Sequence, residues 1–289
     1  MKLNRWVLAF MVVVHGLALA ALVRPIAPLW IPLALFVYFG VGFGTTLGLH
    51  RLLSHRSFRC SKWLEYLLVS VAATTGQGSP LLWVANHRRH HTHADVERDV
   101  HSPTRGFWYA HLGWILDERS TEPEAYRTVC RDFATDRYYH WLMRYRIVPH
   151  LLAVLGVGLS LGWAAVPFVF YLPMVCWMHS TYLVNSACHF GPFGFRSFET
   201  PDLSRNVWWV GLLALGEGWH NNHHASPRAA IHGFSRRQLD LSGLLLKLLE
   251  RLGLVWGLRG CEPSKRFSRV RGLDATGEPE ALDVGSSRA

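Results

Sequence analysis

Nine of the 17 histidines fall into four short strings. They read His50-Arg-Leu-Leu-Ser-His55, His87-Arg-Arg-His90-His91, Asn185-Ser-Ala-Cys-His189 and His220-Asn-Asn-His223-His224. Neutral imidazole is the commonest protein metal ligand and suits iron, copper, zinc and nickel, whereas a merely buried histidine stands alone with one or two hydrogen bonds. Strings this dense are read as a metal site. Residues three and four apart share one face of a helix, so each His-x2-His-His string aims several imidazoles at one place. His50 and His55 are five apart, which on an α-helix turns them well over a quarter circle from each other and leaves open two different ions or a helix end. A closed structural zinc takes four ligands and an octahedral ion six, so nine imidazoles exceed one metal and fit two.

The elements that must carry these strings belong to a membrane protein. Half of the 289 residues are hydrophobic, 13 are tryptophan and the mean hydropathy is +0.12, a combination that points to a bilayer. The net charge of +10 comes without a basic helix, zinc finger or aromatic RNA-binding signature, so no nucleic acid partner is expected and membrane-surface charge accounts for it. Five scattered cysteines without a Cys-x2-Cys pair suggest neither disulfides nor a thiolate metal site.

Uncharged stretches place about four transmembrane helices, at 6–23, 28–49, 147–162 and 164–186. The first is just long enough for a hydrocarbon core of about 30 Å at about 1.5 Å per residue. Its rival reading is a signal peptide, since Lys2 and Arg5 precede an apolar run ending in small residues. The second turns to Gly40, Gly42 and Gly44 near the first string, small residues that let helices approach closely. Arg51, Arg56, Arg59 and Lys62 follow His50, which sets that end at the cytoplasmic face. The 63–84 segment reads as an interfacial or re-entrant piece delivering the second string. Residues 238–258 read as an in-plane amphipathic helix. The expected architecture is an all-α, multi-pass integral membrane protein. One domain over 1–260 has a cytosolic helical cap from 57–146 and 190–260, active site and both termini are cytoplasmic, and 261–289 is a polar, flexible tail.

With these residues in view the chain resembles the membrane-bound fatty acid desaturases, specifically the delta-9 type that occurs as acyl-CoA enzymes and as acyl-lipid enzymes of bacteria and plants. The resemblance rests on Gly48-Leu-His-Arg-Leu-Leu-Ser-His-Arg-Ser-Phe58, Gly106-Phe-Trp-Tyr-Ala-His-Leu-Gly-Trp114, Ser204-Arg-Asn-Val-Trp-Trp209 and above all Gly216-Glu-Gly-Trp-His-Asn-Asn-His-His224. It implies two iron ions held by His50, His55, His87, His90, His91, His189, His220, His223 and His224, with Asn185 reaching one iron through a water. It further implies dioxygen, a fatty acyl substrate on coenzyme A or lipid, and a cis double bond as product. No His-Pro-Gly-Gly haem string of a fused cytochrome b5 is present, so electrons are expected from a separate ferredoxin-like or cytochrome b5-like protein. Asn222 stands where animal acyl-CoA enzymes usually carry tyrosine, and Asn221-Asn222 looks more like the acyl-lipid and plant sequences.

Unactivated C–H cleavage is beyond side-chain acids and bases, so no catalytic acid or base is nominated and the metals carry the chemistry. Asp95, Asp99 and Glu217 stand near ligands and are placed to accept the second ring N–H of an imidazole. Arg88, Arg89, Arg228, Arg236 and Arg237 are weighed between membrane-surface charge and contact with a phosphate-bearing headgroup. Two alternatives remain: a membrane hydroxylase or ketolase of the same iron chemistry, and a histidine-rich metal-binding protein without redox chemistry.

Overall fold

The structure is a computed structural model that describes residues 2–121, 128–262 and 270. About 64% of it is helical, and its only sheet among the described residues pairs β1 (Arg59–Cys60) antiparallel with β2 (Val255–Trp256). Most of the expected 261–289 tail lies outside the described residues.

Helix α1 runs Arg5–Ala20 and starts where the Asn4 side chain accepts from the Val7 N–H at 3.2 Å. Helix α2 covers Trp30–Phe43 and continues as a π-helix through Gly44–Ser54. Helices α3 (Lys62–Ala73) and α4 (Pro80–His93) follow, the latter opened by Ser79 accepting from Leu82 N–H and by Pro80, whose missing N–H costs nothing in the first turn. Helices α5 (Arg137–Arg144) and α6 (Val148–Leu161) meet at a 75° bend, and α7 spans Leu172–Ser186. Three short helices close the cap: α8 (Trp208–Leu213), α9 (His220–Ala225) and α10 (Leu241–Arg251).

Three continuous helical runs are long and apolar enough to cross a membrane, Arg5–Val23, Trp30–Ser54 and Trp163–His189, and α5 with α6 makes a fourth if the bent pair is one span. Their outward residues include Val12, Leu19, Phe36, Leu152 and Leu159, all exposed, as lipid-facing surfaces require. Inward, Met11, Val14, Phe170, Met174 and Met178 pack α1 against α7 and the turn before it. A second core lies under the histidines, where Leu47, Val69, Val84, Leu142 and Leu246 join the π-helix to α3, α4, α5 and α10. Gly44 makes that junction possible: a Cβ there would stand 2.8 Å from Ala72 N and 2.9 Å from Leu68 O of α3.

Candidate metal centre

The π-winding of Gly44–Ser54 explains how the first string works. In a π-helix the hydrogen bond spans five residues, and His55 N–H donates to His50 O at 3.1 Å. Residues five apart therefore lie one turn apart, and the two rings meet with centroids 4.8 Å apart. The divergence that α-helical geometry predicts for this pair does not occur. Both rings enter one group.

The ligand nitrogens of His50, His55, His87, His91 and His223 lie within 4.8 Å of one another, as do those of His90, His189, His220 and His224. Each His-x2-His-His helix serves both groups. Helix α4 gives His87 and His91, four apart, to the five-histidine group and His90 to the other. Helix α9 does the reverse, giving His220 and His224 to the four-histidine group and His223 to the first. His189 arrives from the turn that ends α7.

Chemistry at the far side of the rings decides what these nitrogens need. Asp99 accepts from His90 Nδ1 at 2.8 Å, Asp202 from His224 Nδ1 at 2.9 Å and Asp95 from His189 Nδ1 at 3.0 Å. Burial alone would raise these carboxyls, but His101 and His90 around Asp99, and His224 beside Asp202, hold both well below the usual carboxylate range. Each carboxylate can only accept, so each Nδ1 carries a proton, which in the neutral ring leaves Nε2 as a bare lone pair. Yet His90 Nε2 and His224 Nε2 face each other at 3.3 Å, and His189 Nε2 is buried with no hydrogen-bond partner. In the five-histidine group the Nε2 pairs His50–His223, His87–His91 and His91–His223 stand at 3.2, 3.1 and 2.9 Å. A first-row ion with bonds of about 2.1 Å to nitrogen spaces its ligands by about 3.0 to 3.4 Å. The residues fit two metal ions.

His55, His87, His91, His220 and His223 are held well below the ordinary imidazole value, first by burial and then by neighbouring rings, so they are neutral and free to ligate at pH 7. Glu217 Oε2 lies 2.7 Å from His50 Nδ1. Behind it Arg51, fully buried, donates to Glu217 Oε1 at 3.0 Å, to Asp240 at 2.9 and 3.1 Å and to Ala230 O at 2.8 Å. Gly216, at φ +113°, leaves the space that the Asp240 carboxylate fills, since a Cβ there would collide with it.

Sequence reasoning named Asp95, Asp99 and Glu217 beside ligands but missed Asp202. That residue sits 22 positions from its partner, outside any helical spacing. Its signal is local: Asp202 Oδ1 takes the Ser204 N–H at 3.0 Å and the Thr200 hydroxyl at 2.8 Å, a turn that leaves Oδ2 for His224. Arg51, Asp240 and His232 were missed as a network too, although His232 Nδ1 stands 3.2 Å from Glu217. Arg88 is bound to Asp132 and to the Leu53 and Val129 carbonyls, so it braces α4 rather than meeting a headgroup.

The profile that defines the fatty acid desaturase family matches residues 28–246. The chain belongs to that family. Among its relatives, the sn-1 stearoyl-lipid 9-desaturase of Anabaena variabilis is 41% identical over 221 residues, 75% of this chain and 79% of that one. The sn-2 palmitoyl-lipid 9-desaturase of Nostoc sp. (strain 36) is 40% identical over 264 residues, 87% and 89% of the two chains. The Delta-9 acyl-lipid desaturase 2 of Arabidopsis thaliana is 40% identical over 256 residues, 84% and 78%. This desaturase is an oxidoreductase of fatty acyl chains, and the hydroxylase and metal-binding alternatives are not favoured.

The site of the desaturase opens on a partly open cavity. Thr45 from the π-helix, Gln77 and Trp83 from the approach to and face of α4, and Tyr182 and Asn185 from α7 line it beside the histidines. Trp83 also stacks on His87, with ring centroids 5.2 Å apart and planes at 19°, which steadies that ligand. His93 and His111 join neither histidine group.

Proposed function

We propose that this protein is a delta-9 acyl-lipid desaturase whose nine clustered histidines hold two iron ions. The observation that carries the reading is the convergence of nine imidazole ligand nitrogens, in groups of five and four, beside the cavity. Iron bound there would supply activation of dioxygen and removal of one hydrogen from each of two adjacent methylenes, with two electrons from an external ferredoxin-like or cytochrome b5-like donor. The chain itself does the rest. The carboxylates of Asp95, Asp99, Asp202 and Glu217 fix ring orientation, and Asn185 completes the four-histidine group through a water. The cavity wall of Thr45, Trp83 and Tyr182 holds the acyl chain in register and keeps bulk water away.

The names of the relatives support a lipid-linked acyl chain and the ninth carbon as the target. Residues 1–260 form one membrane domain with the histidine cap and both termini in the cytoplasm, a reading supported by the basic residues that follow His50.

The test is a fatty-acid methyl ester profile of cells that lack unsaturated-lipid synthesis and express the intact chain or His223→Ala. New cis-monoenes at the ninth carbon from the intact chain alone are expected, with iron at two per purified chain. Hydroxylated lipid would overturn the desaturation reading, and a double bond elsewhere would overturn its regiochemistry.

A further inference from the structure

The two histidine groups differ in what stands behind them. Three rings of the four-histidine group, His90, His224 and His189, each donate to a buried aspartate. Among the described residues none of Asp95, Asp99 and Asp202 pairs with a lysine or arginine. Their remaining bonds are neutral, such as Leu203 N–H to Asp95 at 2.6 Å and His101 N–H to Asp99 at 3.2 Å. In the five-histidine group only His50 meets a carboxylate, and that carboxylate, Glu217, shares the Arg51 guanidinium with Asp240. The other four rings have no acidic group within ion-pair distance among the described residues, and His223 Nδ1 has no partner at all.

An anion hydrogen-bonded to the outer N–H of a ligating imidazole makes the ring a stronger donor and favours the higher charge on the metal. Resting on the two-iron reading above, we propose that Asp95, Asp99 and Asp202 are positioning residues that make the four-histidine group the seat of the more oxidised ion. The first electron to reach the fully ferric protein then makes the ion of the five-histidine group ferrous and leaves its neighbour ferric. His87 and His91 are half-buried while the other seven ligands are buried, and water at those two rings also stabilises charge. Partial exposure of two rings is the weaker effect beside three unneutralised anions in hydrogen-bond contact with the other group's ligands. The same exposure places the easily reduced ion on the side an external donor can approach.

The experiment is an anaerobic dithionite titration of the full-length protein loaded with excess 57Fe, followed by Mössbauer and pulsed EPR spectroscopy. Iron analysis comes first, and fewer than two ions per chain would sink the two-iron reading rather than this inference. With two ions present, reduction should proceed in two one-electron steps. Asp202→Asn and Asp99→Asn keep an oxygen to accept the ring N–H but remove the charge. Each should raise the lower-potential step by at least a tenfold change in its equilibrium constant, about 59 mV for one electron, with a smaller change in the upper step. Movement of the upper step instead, or equal movement of both, overturns the proposal. The unsubstituted protein gives an independent reading even if the variants take up no iron: half-reduced, its ferrous ion should carry five histidine nitrogens, and a count of four overturns the assignment.

Discussion

Two sets of histidines in this molecule are packed at the same distances and obey opposite rules. In the cap, the protons of His90, His189 and His224 are pulled to aspartates and their Nε2 lone pairs point at the neighbouring ligands. Near the membrane core, His15 of α1, His179 of α7 and His111 form a chain with His179 in the middle and contacts of 3.0 and 3.0 Å. There the Met11 carbonyl takes the proton of His15 Nδ1 at 2.7 Å, so His15 Nε2 accepts from His179, and His179 Nδ1 accepts from His111. Every proton in that chain finds a lone pair. The difference teaches that neither the number nor the closeness of histidines makes a metal site; front nitrogens that converge with no proton to share between them do.

The sharpest way to break that comparison is to remove one ring from either histidine group of the cap. His90→Ala or His223→Ala should abolish product and lower bound metal while membrane insertion persists, as lipid analysis and metal content will read. Full activity in either variant would remove the ligand assignment. Acid should act on the same set. His55, His87, His91, His220 and His223 have folded values below the unfolded value of about 6.5, so the unfolded chain takes up more protons as pH falls. Stability is therefore fully present above about pH 7 and falls below about 6.5, by up to about 1.4 kcal/mol per pH unit for each imidazole. Metal retention after equilibration from pH 7.5 down to 5 should fall along that limb, and a flat profile would contradict it.

Next in size comes the support behind the five-histidine group. Arg51→Met leaves Glu217 and Asp240 buried without their cation, a change that costs about 3 to 5 kcal/mol. Denaturant unfolding in detergent should register it, whereas a loss under about 1 kcal/mol would mean that the network is dispensable. Asp95→Ala acts on the other group and should weaken metal binding about 10- to 100-fold, measured by competition with a chelator. An unchanged affinity would break the claim that the carboxylates separate the two sets.

How far the sequence foretold this depends on the range of the interaction involved. The four strings, the apolar spans and a histidine metal site follow from spacing and composition, which are local. The partition of ligands was not legible, because α-helical periodicity sends His50 and His55 apart and only the π-helix of Gly44–Ser54 brings them together. Asp95 and Asp99 were visible because they follow α4 closely. Asp202 and Asp240 were not, since each finds its partner across loops whose course no periodicity encodes.

The smallest effect probes the other half of the comparison. His179→Ala removes two hydrogen bonds between α1, α7 and the 109–113 turn, yet takes no ligand from either histidine group. Interhelical hydrogen bonds within membranes are worth about 0.6 kcal/mol on average, because the unfolded segments find partners of their own. A modest loss of thermal stability with unchanged metal content and product yield is therefore expected. If metal were lost instead, the membrane chain would be coupled to the cap, and the self-satisfied set would no longer be separate from the one that needs a cation.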